Sequence, residues 1–130
     1  MRYLTSEQIL LIHSMVVDET GGSHGVRDSH AVLSLESAPK QKVFGKILYN
    51  SIYEKAAVYL REIITQHPFV DSNKRTAITV ASVFLENNGY IFKATDEEVV
   101  EFALKTVEDK LEISDIVKWL KSHSNKIDKR

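Results

Sequence analysis

Two apolar-periodic stretches, Ile52 to Ile64 and Ala77 to Leu85, are separated by a short polar segment opening on His67-Pro68, and this arrangement constrains the fold more than any other feature of the chain. Ile52, Ala56, Ala57, Leu60, Ile63 and Ile64 recur at the spacing of one helical face. Ala77, Ile78, Val80, Ala81, Val83, Phe84 and Leu85 are apolar on nearly every side, which predicts a helix buried all round. Pro68 disfavours helical backbone at His67, so the first helix ends there. The expected architecture is all-α: a compact, single-domain helical bundle over residues 1–130, with a polar loop held between two central helices.

The flanking sequence agrees with a helical chain. Thr5 to Gln8 reads as a capping box ahead of Ile9, Leu10, Ile12, Met15 and Val16, and Thr20-Gly21-Gly22 closes that helix. Gly21 to Arg27 reads as a flexible turn, and a short helix around Ser29 to Ser37 is expected to stop before Pro39. Lys40 to Tyr49 lacks helical periodicity. Asn87-Asn88-Gly89 ends the second central helix, and Tyr90 to Phe92 reads as a short extended piece. Thr95 to Glu98 caps a helix reaching about Asp109, and Ile113, Ile116, Val117 and Leu120 mark the last one. Residues 123–130 read as a loosely ordered basic tail.

Composition narrows the function. The absence of cysteine excludes a disulfide framework and cysteine-based zinc sites. No signal peptide is evident and no apolar run approaches the ~18 residues of a membrane span, so a cytoplasmic protein without membrane association is expected. A net charge of −1 argues against direct nucleic-acid binding.

Chemistry concentrates in HPFVDSNKRTA, His67 to Ala77. Asp71 and Ser72 are good N-cap residues for the second central helix. Lys74 and Arg75 then fall in its first turn, where each cation is disfavoured by roughly 0.3–1 kcal/mol, so an anion is expected to compensate. A phosphate chain fits, since helix-start N–H groups bind anions, arginine grips phosphate oxygens and lysine adds a point charge. Beside phosphates Asp71 is a candidate Mg²⁺ ligand, and Asn73 is expected to orient the phosphates through its amide. His67, of a residue type with a pKa near ~6.5, suits a general base for a hydroxyl. The plainer alternative is a capped helix start with a solvated basic turn. No GxxxxGK[ST] loop is present.

The loop resembles the signature of the Fic/Doc family, whose Fic branch carries HPFx[DE]GNGRxxR, and it is most similar to the Doc branch of death-on-curing toxins. Nearly the whole chain shares the Doc pattern: a Gly-rich turn, the Arg27-Asp28 pair, the LESA and EKAA helices, an FG segment, the LENNGY turn and the terminal IVKWLKSH helix. The resemblance implies a helical bundle in which His67 is the base, Asp71 binds Mg²⁺, and Ser72, Asn73, Lys74 and Arg75 hold the phosphates of ATP. Phe69, large and apolar among polar neighbours, is expected to anchor the loop in the core. Lys42, Val43, Phe44, Gly45 and Lys46 correspond to a flap that docks the target by strand-like pairing.

Three departures from the Fic pattern bear on the reaction. Lys74 replaces the second loop glycine, Ile78 the second arginine, and Ser72 stands where Gly or Ala is usual. Doc proteins share the NKR form, which implies a reversed nucleotide presenting its gamma phosphate and hence a protein kinase. By family precedent the target is a threonine of translation elongation factor Tu, whose modification halts translation. The same resemblance implies a partner, an antitoxin of Phd type whose disordered tail folds on binding. The alternatives are a Fic-type adenylyltransferase and a catalytically silent binding module. Ser82 to Asn87 matches [ST]xxxE[GN], the inhibitory pattern of Fic proteins, but its place in a buried helix marks the match as chance. His13, His24, His30 and His123 show no ligand spacing and read as surface or core side chains. Trp119 reads as core packing, with a nucleotide or partner contact as the alternative, and Arg27-Asp28 as a helix-start pair, with a place at the border of the site as the alternative that its recurrence in the Doc pattern implies.

Overall fold

The computed structural model describes residues 1–127, as α1 (Ser6–Thr20), α2 (Ser29–Ser34), β1 (Lys42–Val43), β2 (Lys46–Ile47), α3 (Ile52–Gln66), α4 (Asn73–Asn87), β3 (Tyr90–Phe92), α5 (Asp96–Glu108), α6 (Ile113–Ser122) and β4 (Ser124–Lys126). The all-α class holds, with the strands confined to two small antiparallel pairs, β1 with β2 and β3 with β4. Helix starts follow local chemistry: α1, α3 and α5 each open with a reciprocal capping box, Thr5 with Gln8, Ser51 with Glu54 and Thr95 with Glu98. Gly21 ends α1 at a φ of 86°, a conformation that glycine enters without steric cost.

Helices α3 and α4 form the centre of the fold. Tyr59, Leu60, Ile63, Phe84 and Leu85 are fully enclosed, and α1 and α6 lie against the pair. Burying each such side chain contributes about 1.5–3 kcal/mol, so this contact dominates the stability of the region that carries the polar loop. Tyr59 has its phenol pushed up to about 12, first by burial, and its oxygen accepts a hydrogen bond from the Leu4 N–H at 3.1 Å. The N-terminal segment is thereby pinned to α3.

Two expectations are corrected. Pro39 does not bound a helix running to Ser37: α2 stops at Ser34, and Pro39 lies inside a short 3₁₀ turn, Ala38–Lys40, whose early positions need no proline N–H. The supposed loose tail is ordered as far as Ile127. β4 pairs with β3 in the register Tyr90 to Lys126 and Phe92 to Ser124, and the Ile127 N–H donates to the Gly89 carbonyl at 2.8 Å. A three-residue strand with an open edge needs a partner, and the chain beyond α6 supplies it. The last three residues of that stretch lie outside the described region. Among the described residues no helix is long and apolar enough to cross a membrane.

Candidate active site

His67 closes α3 and Asn73 opens α4, so the intervening loop joins the ends of the two most buried helices. His67 is exposed and takes left-handed backbone at φ 49°, ψ 58°, which turns the chain out of the helix at Pro68. The segment before α2 fastens this turn. The Arg27 guanidinium donates to the carbonyls of His67 at 2.6 Å and Gln66 at 2.5 Å, and the N–H groups of Arg27 and Asp28 share the Pro68 carbonyl. Val26 bridges Phe69, and the Val70 N–H donates to the Gly25 carbonyl at 3.0 Å. A Cβ on Gly25 would lie 2.9 Å from the Val70 side chain, so the close approach of the two segments requires glycine there.

Phe69 is 1% exposed and stacks face to face on His13 of α1, with ring centroids 3.8 Å apart. His13 Nε2 lies 3.0 Å from the Asp71 carbonyl oxygen. The Asn73 amide spans the turn, accepting from the Phe69 N–H at 3.0 Å and donating to the Phe69 carbonyl at 2.8 Å. Its side chain therefore fixes the loop backbone.

The cap predicted for α4 does not form. Ser72 occupies the N-cap position in left-handed backbone, φ 64°, with no side-chain hydrogen bond to the helix. Asp71 instead turns its Oδ2 toward the Ser23 N–H at 2.9 Å, and its other oxygen accepts no hydrogen bond among the described residues. The first turn of α4 therefore keeps its N–H groups free of side-chain caps, which leaves the positive helix end open to an anion. Lys74 is exposed in that turn, and Arg75 pairs with Asp96 of α5 at 3.0 Å. Ile78 is 5% exposed and belongs to the core.

A cleft of about 410 Å³ opens beside His67, lined by Arg61, Ile64, Val107, Lys110 and Leu111 among others. The flap residues Lys42, Val43, Phe44, Gly45 and Lys46 make a two-residue hairpin turn, with Phe44 and Gly45 both at positive φ and Phe44 wholly exposed at the tip. Among the described residues no hydrogen bond joins this hairpin to the loop. Lys55 of α3 reaches the Tyr49 carbonyl just after it and fixes where it emerges.

A metal here would have one carboxylate. Among the described residues no three His, Cys, Asp or Glu side chains cluster as a metal cage. Asp71, with one oxygen uncommitted beside an uncapped helix start, suits Mg²⁺, which takes one or two carboxylates and completes its shell with substrate phosphates and water.

Sequence reasoning identified the loop and missed His13, Ser23 and Gly25 among what holds it; Arg27, with a place at the border of the site as its alternative reading, lies there as the clamp. His13 carried a usable signal, since it falls on the buried face of α1 with Ile9, Ile12 and Val16, where an imidazole needs a polar partner.

The Fic/DOC family pattern matches residues 3–85. Toxin Doc of Mycolicibacterium smegmatis is 36% identical over 87 residues, covering 67% of this chain and 65% of that protein. Protein kinase doc of Escherichia phage P1 is 30% identical over 92 residues, covering 68% of this chain and 70% of that one.

Proposed function

The chain belongs to the Fic/DOC family, and we propose that it is a Doc-type toxin, a protein kinase that transfers the gamma phosphate of ATP to a threonine of a translation factor, with elongation factor Tu as the substrate. The observation that carries this reading is the uncapped start of α4, with Lys74 in its first turn and the exposed His67 at the other end of a rigidly fastened loop. Phosphoryl transfer asks mainly for positioning and charge neutralisation, which a short loop between two buried helices supplies. His67 takes the proton of the target hydroxyl as its oxygen bonds to the gamma phosphorus. The bond from that phosphorus to the bridging oxygen breaks, and ADP leaves. The N–H groups of α4, Lys74 and Arg75 hold the phosphate oxygens, and Asn73 keeps the loop backbone in register beneath them. Asp71 would hold Mg²⁺, which would supply positive charge against that building on the phosphates.

Ile78 favours this reaction over AMP transfer, because a core isoleucine cannot replace the second phosphate-gripping arginine of the Fic pattern. The resemblance to a protein named toxin Doc supports neutralisation by a Phd-like antitoxin that folds on the toxin, with both acting in the cytoplasm. The test is label transfer to purified elongation factor Tu from gamma-labelled and, separately, alpha-labelled ATP with magnesium, using wild type and His67→Ala. Gamma label that vanishes in the variant is expected. Alpha label would make the protein an adenylyltransferase, and no label from either would reduce the fold to a binding module or move the activity to another target.

A further inference from the structure

We propose that His13, on a helix that contributes no other residue to the loop chemistry, is a positioning residue that sets the orientation of Asp71 through a ring protonated at Nε2. The proposal rests on the phosphotransfer reading for its consequence and on geometry for its substance. His13 is 2% exposed, its ring plane lies 6° from that of Phe69, and its Nε2 faces a carbonyl oxygen at 3.0 Å. A carbonyl only accepts, so Nε2 carries a proton and donates at that edge. One face of the ring thus fixes how deep Phe69 sits, and one edge fixes the peptide between Asp71 and Ser72.

Packing alone does not ask for histidine. The neighbours on this face of α1 are Ile9, Ile12 and Val16, and an apolar side chain of similar size would fill the same space without burying a polar ring. What the imidazole adds is the hydrogen bond to a residue 58 positions away. Asp71 is then held at two atoms: its carbonyl by His13, and its carboxylate by the Ser23 N–H at 2.9 Å. Gly22 closes the third side, since a Cβ there would lie 3.2 Å from the Asp71 Cβ. A carboxylate held this way keeps one oxygen aimed and uncommitted, and the residue that aims it stands outside the site.

Two variants separate the ring from its proton. His13→Phe keeps a ring on Phe69 and removes the donor; His13→Gln keeps a donor at similar reach and removes the ring. Nitrogen NMR of the free wild-type protein is expected to show a proton on His13 Nε2; a proton on Nδ1 alone would overturn the proposal. With Mn²⁺ and ATP, metal binding read by electron paramagnetic resonance is expected to weaken about tenfold or more in His13→Phe and to recover in His13→Gln. In turnover His13→Phe should raise the half-saturating magnesium concentration, His13→Gln should leave it near the wild-type value, and the KM for the target protein should stay put in both. Unchanged metal affinity in a folded His13→Phe, or a His13→Gln variant no better than it, sinks the idea. If His13→Phe fails to fold, His13→Gln decides alone, and wild-type metal affinity is required of it. Absence of gamma label on elongation factor Tu would count against the proposed reaction on that substrate, whereas the Mn²⁺-binding and NMR arms would still decide the role of His13.

Discussion

His67 and Ser72 bracket the loop with left-handed backbone, at φ 49° and 64°, and neither is glycine. An L side chain held there costs on the order of 1 kcal/mol or more, and such strain persists only where surrounding contacts over-determine the backbone. The contacts here are the Arg27 clamp on one side and the Asn73 and His13 bonds on the other. Ser72 makes no capping bond that would offset its strain. Ser72→Gly is therefore expected to stabilise the protein by roughly 0.5–1 kcal/mol in urea unfolding, and a loss of stability would mean that the hydroxyl has an essential partner. Thr76, one turn into α4, is completely buried and its hydroxyl has no hydrogen-bond partner among the described residues. An unmade bond of that kind costs about 1–3 kcal/mol, so Thr76→Val should raise the unfolding free energy by about 1 kcal/mol without altering label transfer. A drop on that substitution would show that the hydroxyl is bonded after all.

Elements α5 and α6 are tied by a contact that depends on pH. His123, the C-cap of α6, meets Glu98 of α5 at 2.7 Å. The Glu98 carboxyl is held down at about 2, first by the Thr95 backbone N–H and then by His123. Burial works to lower the His123 pKa, but the Trp119 carbonyl and the Glu98 carboxylate together raise it. The His123 contribution is therefore complete below the ordinary 6.5 and is lost as pH rises through the higher folded value. That of Glu98 is complete above the ordinary 4.5 and is lost as pH falls toward about 2. The pair is at full strength between these limits, so the thermal midpoint should decline by a few degrees as pH rises from about 6 to about 8. Glu98→Gln keeps the oxygen that caps α5 and removes the charge, and it should flatten that decline. An equally steep slope in the variant would assign the titration to another group.

Across the molecule, what was legible in the sequence was whatever is encoded locally. The apolar stripes of α3 and α4, the capping boxes at Thr5 and Thr95, and the loop between His67 and Asn73 all depend on residues a few positions apart. Asp71, Asn73 and His13 take their actual partners from contacts with Ser23, the Phe69 backbone and a residue 58 positions distant, and no local pattern specifies two of those three. The order of the closing unit escaped for the same reason, since β4 reads as a polar tail until β3 lies beside it. That unit is a second layer laid on the core: Trp119 stacks on Phe102 at 4.0 Å and meets Phe92 at 5.4 Å, while Tyr53 of α3 meets Tyr90 of β3 at 5.0 Å. The fastenings of the active-site loop come instead from α1, the segment before α2, α4 and, through Arg75, the first residue of α5. A chain ended after His123 loses the ladder on β3 and the bond from Ile127 to Gly89. At about 1 kcal/mol for each bond, its thermal midpoint should fall by on the order of 10 °C, and the emission of Trp119 should shift to the red as its packing loosens. Transfer that depends on His67 should survive in this shortened chain below its new midpoint, because the truncation leaves every fastening of the loop in place. If transfer is lost while the shortened chain is still folded, the closing unit takes part in the site, and the division of the molecule into a core that holds the loop and a layer that shields it is wrong.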